Sequence, residues 1–416
     1  MTANQGTAVR DDEWRKGWPI VLCAFLGMGL AAAPSYSLGV FMKPLADQFG
    51  WSRTELAGAS FIMGITSAFL SPFIGRLADR IGARPLVLLG TTFGCAGFCG
   101  LGIIQGSIWS YWALFLVTAT GIAVASPMIW SIGVATRFDR HRGGALGLAL
   151  NGINVYGALT PPIATALIMA LGWRGAYFAL GAGLFLLSVP FALLFFFDAK
   201  AIAGQARKNE TPTTGPTGGL TFAEALRTRQ FWIMGIALIV TAGCIVGIIV
   251  NLIPLLTDHG MAPATAAGAA SAISIAAMIT GAGSGFLFDH VPVPRMAAII
   301  FAFPTLGCLL LINVTGGFLG GLIAAITVGA TAGAQVNLIA YFSGRYFGMK
   351  AYGSIYGLLF GMYAIGQGPT AILVSAVHDH FGSYAPAFVV MAIAFAVSGA
   401  AMLFIGPPLH HEPRRE

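Results

Sequence analysis

Read as apolar and polar stretches, the chain resolves into twelve long apolar runs separated by short polar loops. They fall at 18–41, 54–73, 86–104, 109–134, 145–170, 176–197, 231–255, 265–288, 296–313, 317–341, 353–376 and 385–405. Each is close to the ~20 residues that carry a helix across a ~30 Å hydrocarbon layer. A transmembrane barrel would show shorter segments of period two, so the pattern predicts helices. The first run is too long for a signal-peptide core, and no A-x-A-like cleavage pattern follows it, so it reads as a retained helix. The longest polar stretch, 198–230, holds Pro212, Pro216 and a run of Gly and Thr, and divides the runs six and six. The expected class is therefore an all-α integral membrane protein with twelve transmembrane helices in two six-helix pseudo-repeats. Its organisation reads as a tail over 1–17, one bundle over 18–197, a linker over 198–230, a second bundle over 231–405 and a tail over 406–416.

The two halves repeat. Gly75-Arg76-Leu77-Ala78-Asp79 recurs as Gly285-Phe286-Leu287-Phe288-Asp289, an offset of 210, and Gly172 and Phe178 recur at Gly382 and Phe388 with the same offset. Composition agrees with a bilayer solvent. Only 9% of residues are charged and 57% are hydrophobic, against roughly 25% charged in a soluble domain.

The net charge of +7 is unevenly placed. Nineteen of the 22 basic residues lie on one side of the predicted topology; Lys43, Arg53 and Arg174 are left on the other. The positive-inside rule then puts both termini in the cytoplasm of a multi-pass protein of the inner (plasma) membrane. No basic stripe or reading helix accompanies the charge, so nucleic acid is not an expected partner. The five cysteines all fall inside runs and read as packing residues; no disulfide framework, metal site or cofactor is expected.

Gly75-Arg-Leu-Ala-Asp-Arg-Ile-Gly-Ala-Arg84, in the loop after the second of six-plus-six spans, resembles the signature of the major facilitator superfamily. Gly75 and Gly82 allow a sharp turn between helices. The resemblance implies the major facilitator fold and a charge network that latches the two halves on the cytoplasmic side. Asp79, Arg80 and Arg84 would be its gate residues, with Arg137 or Arg142 as partner. Other segments resemble the branch of monocarboxylate porters and oxalate–formate exchangers. They are Tyr36-Ser-Leu-Gly-Val-Phe-Met-Lys-Pro44, Phe49-Gly-Trp-Ser-Arg53, Arg137-Phe-Asp-Arg-His-Arg-Gly-Gly-Ala-Leu-Gly147, Gly172-Trp-Arg-Gly-Ala-Tyr-Phe178 and Arg345-Tyr-Phe-Gly348. That branch moves small organic acids, some members with a coupling proton and some against an exchanged anion.

The chain departs from the branch in one respect. Its members typically bind the substrate carboxylate through an arginine in span eight or a lysine in span eleven. Here span eight carries only neutral polar groups such as Ser271, Ser274 and Thr280, and span eleven has no basic residue. A cation inside the bilayer is costly and is kept for function. Either an anion is bound by neutral donors and helix N-termini, or the substrate is not an anion.

Neutral polar groups inside the spans are therefore the substrate-site candidates: Tyr36 in span one, Asn151 and Asn154 in span five, Asn251 in span seven, Gln335 and Asn337 in span ten, and Tyr363 and Gln367 in span eleven. Buried amides also join helices by hydrogen bonds alone, so both roles stay open. Pro34 is expected to disturb span one beside Tyr36. Glycines at four-residue spacing, Gly329 and Gly333 or Gly353, Gly357 and Gly361, read as close-packing helix faces. No nucleophile–base pair sits in a catalytic setting, so no catalytic residues are expected. The expected function is secondary or facilitative transport of a small, monocarboxylate-like organic acid by alternating access. The alternative is export of neutral or aromatic small molecules on the same fold.

Overall fold

The structure is a computed structural model that describes the backbone of residues 5–135, 137–138, 141–196, 219–290, 293–313, 317–348 and 350–406. Apart from one short 3₁₀ turn, its regular elements are α-helices. Through the first half they are α1 (Gln5–Gly27), α2 (Gly29–Phe49), α3 (Arg53–Ile81), α4 (Ala83–Gly100), α5 (Ile108–Val124), α6 (Pro127–Ala135), α7 (Arg142–Leu150) and α8 (Gly152–Phe195). The second half adds α9 (Phe222–Leu226), α10 (Arg229–Asp258), α11 (Pro263–His290), α12 (Val293–Ala302), α13 (Pro304–Asn313), α14 (Gly317–Phe347), α15 (Tyr352–Gly366), α16 (Pro369–Phe381) and α17 (Ala385–Leu403).

Among the described residues, ten stretches are long and apolar enough to cross a membrane. One of them, Gly144–Phe195, contains a break at Gly172, whose φ of 70° and ψ of 170° are not helical. That break makes two spans of one stretch, and α3 covers the remaining apolar run, so twelve helical spans are present. Span one extends to Phe49, beyond the run that predicted it. Its interruption lies at Met28, between α1 and α2, whereas the helix continues unbroken through Pro34. Proline removes the N–H that would meet the carbonyl four residues back, here that of Leu30, and the helix accommodates the loss without a break.

By its internal contacts the chain forms two compact units, Met1–Ser37 with Thr66–Pro212 and Leu38–Ile65 with Thr213–Glu416. The division passes through α2 and α3. In the first unit the core is aromatic: Trp130 meets Phe196 edge-on at 5.2 Å, and Phe138 receives Trp14 at 5.0 Å. Glycines make room for these rings. A Cβ at Gly27 would stand 2.1 Å from Trp130, and one at Gly133 would stand 2.4 Å from Phe196.

The second unit centres on Phe231, Met234, Phe301, Phe342, Tyr346 and Met402. Its α11 and α14 lie backbone to backbone. A Cβ at Gly329 would come within 2.0 Å of the Ile273 carbonyl, and one at Gly333 within 2.1 Å of the Ala277 carbonyl. Lipid supplies no hydrophobic drive between helices, so such close approach is how spans associate. The glycine face of α15 behaves otherwise: a Cβ at Gly357 or Gly361 would meet nothing within 4 Å. Leu89, Met169, Leu186, Val390 and Ile393 stand outward, as side chains facing acyl chains do. All five cysteines are free.

Candidate functional site

In the second unit the interior amides bridge pairs of helices. Asn251 of α10 is fully buried; its Nδ2 donates to the Gly247 carbonyl at 3.0 Å, and its Oδ1 accepts from Ser375 Oγ of α16 at 2.9 Å. Gln335 of α14, also fully buried, donates from Nε2 to Thr241 Oγ1 of α10 at 2.7 Å. Asn337, two residues further along α14 and exposed, donates to the Gly281 carbonyl at 2.7 Å and to Ser284 Oγ at 2.8 Å, both on α11. Tyr363 is half-buried against the aromatic core, 5.6 Å from the Phe360 ring, and Gln367 is half-buried at the end of α15. Each of the three bonded amides therefore serves a different helix pair.

Gln335 carries one further consequence. The Thr241 hydroxyl has a single hydrogen, which it gives to the Ala237 carbonyl at 2.6 Å. Its oxygen must then accept, which fixes the amide of Gln335 with nitrogen toward Thr241. The other end, Oε1, is fully buried and has no hydrogen-bond partner among the described residues. A buried acceptor left unsatisfied costs roughly 1–3 kcal/mol, so this oxygen favours any group that brings it a hydrogen.

In the first unit Asn154 Nδ2 donates to Asn151 Oδ1 at 3.1 Å, the i, i+3 pairing expected on one helix face. Both residues are half-buried, as is Tyr36. Of the gate candidates, Arg84 donates from Nη2 to the Leu193 carbonyl at 2.8 Å, while Arg80 and Arg137 are exposed. The side chains of Asp79 and Arg142 lie outside the described residues, as do those of the repeat copy 285–290.

A further polar cluster among the described residues includes Glu55 and Asp258, two titratable groups at the outer helix ends, and Arg53, which closes one of the branch-like segments. It forms at the start of α3, within the second unit. Ser52 and Glu55 make a reciprocal cap: Glu55 Oε2 accepts from Ser52 N at 2.8 Å, and Glu55 N donates to Ser52 Oγ at 3.1 Å. That places Arg53 in the first helical position, where the positive end of the helix dipole opposes a cation. Two carboxylates answer it. Asp258, at the end of α10, accepts from Arg53 Nη1 at 2.6 Å and from Nη2 at 2.7 Å. Asp379, in the last turn of α16, accepts from Thr54 N at 2.8 Å and Thr54 Oγ1 at 2.5 Å.

Gly382, left-handed at φ 65°, ends α16 and reverses the chain. Tyr384 thereby returns over His378, ring centroids 4.4 Å apart, and its hydroxyl accepts from Arg53 at 2.5 Å. His378 Nε2 lies 3.6 Å from Asp258 Oδ2. Burial works against the guanidinium charge, but the bonds to Asp258 and Tyr384 more than compensate and hold Arg53 protonated above its ordinary range. Burial pushes the Tyr384 phenol up to about 12. The legible signal was Ser-x-x-Glu before an apolar run, a helix-start pattern that puts Arg53 where it needs a counter-charge.

Residues 24–371 match the Major Facilitator Superfamily. The chain is 29% identical over 412 residues to Monocarboxylate transporter 11 of Homo sapiens, covering 96% of this chain and 84% of that one. It is 28% identical over 404 residues to Monocarboxylate transporter 13 of Bos taurus, covering 95% and 90%. Among solved structures it resembles a mutant form of the nucleoside transporter NupG, with a TM-score of 0.76 at 12% identity over 94% of this chain and 99% of that one. It also resembles a bacterial homolog of the human lysosomal transporter Spinster, with a TM-score of 0.65 at 16% identity over 94% of each. These last two identities bear on the fold alone. Twelve helical spans, neutral amides between them, charge gathered at the helix ends and a match across most of the length make one assignment: the chain is a membrane transporter and belongs to the major facilitator superfamily.

Proposed function

We propose that this transporter carries a small organic acid of the monocarboxylate kind across the inner (plasma) membrane by alternating access. The observation that carries the reading is the likeness to monocarboxylate transporters over 95% or more of the chain. In this reading the bundles 18–197 and 231–405 rock about a midplane site, with the linker 198–230 and both termini in the cytoplasm. Tyr36, Asn151, Asn154, Asn251, Gln335, Asn337, Tyr363 and Gln367 supply the neutral polar lining. Asp79, Arg80, Arg84, Arg137 and Arg142 gate the cytoplasmic side, and a coupling proton or an exchanged anion completes the cycle. The Gln335 acceptor suits a ligand presenting a hydroxyl or a protonated acid group better than a bare carboxylate.

The absence of a basic anchor among the described interior side chains favours a second reading, export of neutral or aromatic molecules. Substrate counterflow in proteoliposomes with a panel of mono-, di- and aromatic carboxylates separates the two. Acid-driven counterflow is expected. Movement of neutral compounds with none of the acids would sink the organic-acid reading, and uptake indifferent to an imposed pH gradient would remove the proton.

A further inference from the structure

The cluster at the start of α3 belongs neither to the neutral interior nor to the Gly75–Arg84 segment at the other end of the same helix, which is not the expected loop: it stays helical to Ile81 and breaks only at Gly82. It unites four elements. Span two contributes Arg53 and Thr54, span seven Asp258, span eleven His378 and Asp379, and the start of span twelve Tyr384. Two independent links join span two to the others. One is the bidentate Arg53–Asp258 pair, the geometry in which a guanidinium and a carboxylate bind most strongly. The second is the capture of the α3 N-terminus by Asp379 through both a backbone and a hydroxyl donor. The Arg53 side chain retains 18% of its exposure and that of Asp258 31%. The pair is thus withdrawn from water enough to resist screening, yet needs no charge inside the bilayer.

We propose that Arg53, clasped by Asp258 and Tyr384 with Asp379 seated on the adjoining N-terminus, is a latch that keeps this end of the protein shut, and that opening here requires its rupture. The packing supports this. About three turns further along, α3 passes close to the start of α16: a Cβ at Gly64 would stand 3.3 Å from Gly368 and one at Gly368 3.1 Å from the Phe61 backbone. The clasp and this close approach thus hold α3 to α16 at two points along their length. At Thr66 the same helix passes into the first unit. If the two bundles rock, on which reading the latch rests, the start of α3 must leave Asp258 and Asp379. Arg53, Asp258, Asp379 and Tyr384, which lie against His378, are themselves latch members.

The test needs no substrate. Ala57, one turn inward from Arg53 and fully buried, is replaced by cysteine in a background whose five native cysteines are alanine. Its reaction with a membrane-impermeant methanethiosulfonate is timed in nanodiscs. Arg53→Gln and Asp258→Asn should each raise the labelling rate about tenfold, the loss of a charged hydrogen-bonded pair. The double variant should label no faster than the faster single, because both remove one interaction. Arg53→Lys, which keeps the charge but not the fork, should fall between. A sister background retaining only Cys308, fully buried on α13, reads general loosening, and its labelling should not change. Parent-rate labelling in Arg53→Gln, multiplicative effects in the double variant, or equal acceleration at Cys308 would overturn the latch. Because labelling is independent of transport, failed acid counterflow with intact latch behaviour would discard the substrate reading alone.

Discussion

Arg53 and Arg84 flank the same helix, one at its first residue and one just past its end, and they are held in opposite ways. Arg53 gives both terminal nitrogens to a carboxylate and one of them also to a phenol. Arg84 donates to the backbone carbonyl of Leu193. Both donors are charged, but only at Arg53 is the acceptor charged too, and its forked pairing adds a second parallel bond. A carbonyl at a helix end is an acceptor that many side-chain positions can reach. The contrast lies in the acceptor: a bidentate carboxylate and a phenol for Arg53, a backbone carbonyl for Arg84. The superfamily signature covers the Arg84 end, whereas Arg53 closes one of the segments that resemble the narrower branch.

The widest gap should appear when both arginines are neutralised in turn. Against the tenfold expected for Arg53→Gln, Arg84→Gln removes a bond to a backbone carbonyl at the far end of the helix. It should leave labelling of the cysteine placed at Ala57 within about twofold of the parent. Equal acceleration by the two would erase the distinction.

A smaller effect tests whether the neutral interior answers to hydrogen bonds as the ends answer to charge. Gln335→Met removes the lone acceptor together with its donor to Thr241. Binding of a donor-bearing ligand, measured by calorimetry once counterflow has found one, should weaken about fivefold. A ligand without a donor should be unaffected, and loss of both alike would mean that the residue only holds α10 to α14.

The slightest contrast lies between two helix starts capped alike. Thr221 and Glu224 at α9 repeat the reciprocal cap of Ser52 and Glu55, but without the added carboxylate of Asp379. The backbone and hydroxyl bonds of Thr221 hold the Glu224 carboxyl below its ordinary range. A depressed carboxyl stabilises above its unfolded value of about 4.3 and loses that contribution as pH falls through its folded value. Glu224→Gln should therefore flatten the acid limb of thermal stability slightly and leave it nearly unchanged at pH 7. Steepening of that limb would contradict the cap.

Much of this architecture was legible in the chain because a bilayer is a uniform solvent that every span must satisfy alone. Hydropathy located the spans, and the glycine break between spans five and six fell at Gly172 as the loop there required. What spacing could not give was the neighbour. Gly329 and Gly333 abut backbone carbonyls, whereas Gly357 and Gly361, spaced identically, face open room. Asn251 and Gln335 were readable as buried polar groups, but Ser375 and Thr241, which decide what each amide has left to offer, were not. Arg53 stood out as one of three basic residues on the sparse side and as the last residue of a branch-like segment, with no role attached to it. Its partners lie 205 and 331 positions along the chain, a separation that no local pattern spans.

The 29 residues of α3 extend about 43 Å at 1.5 Å per residue, some 13 Å more than a ~30 Å hydrocarbon layer. A rod of that length has both tips among the lipid headgroups, and a hydrogen-bonded helix transmits a push with little bending. It starts in one unit and finishes in the other. An axial displacement at either tip is therefore carried to the other through a single piece of hydrogen-bonded backbone.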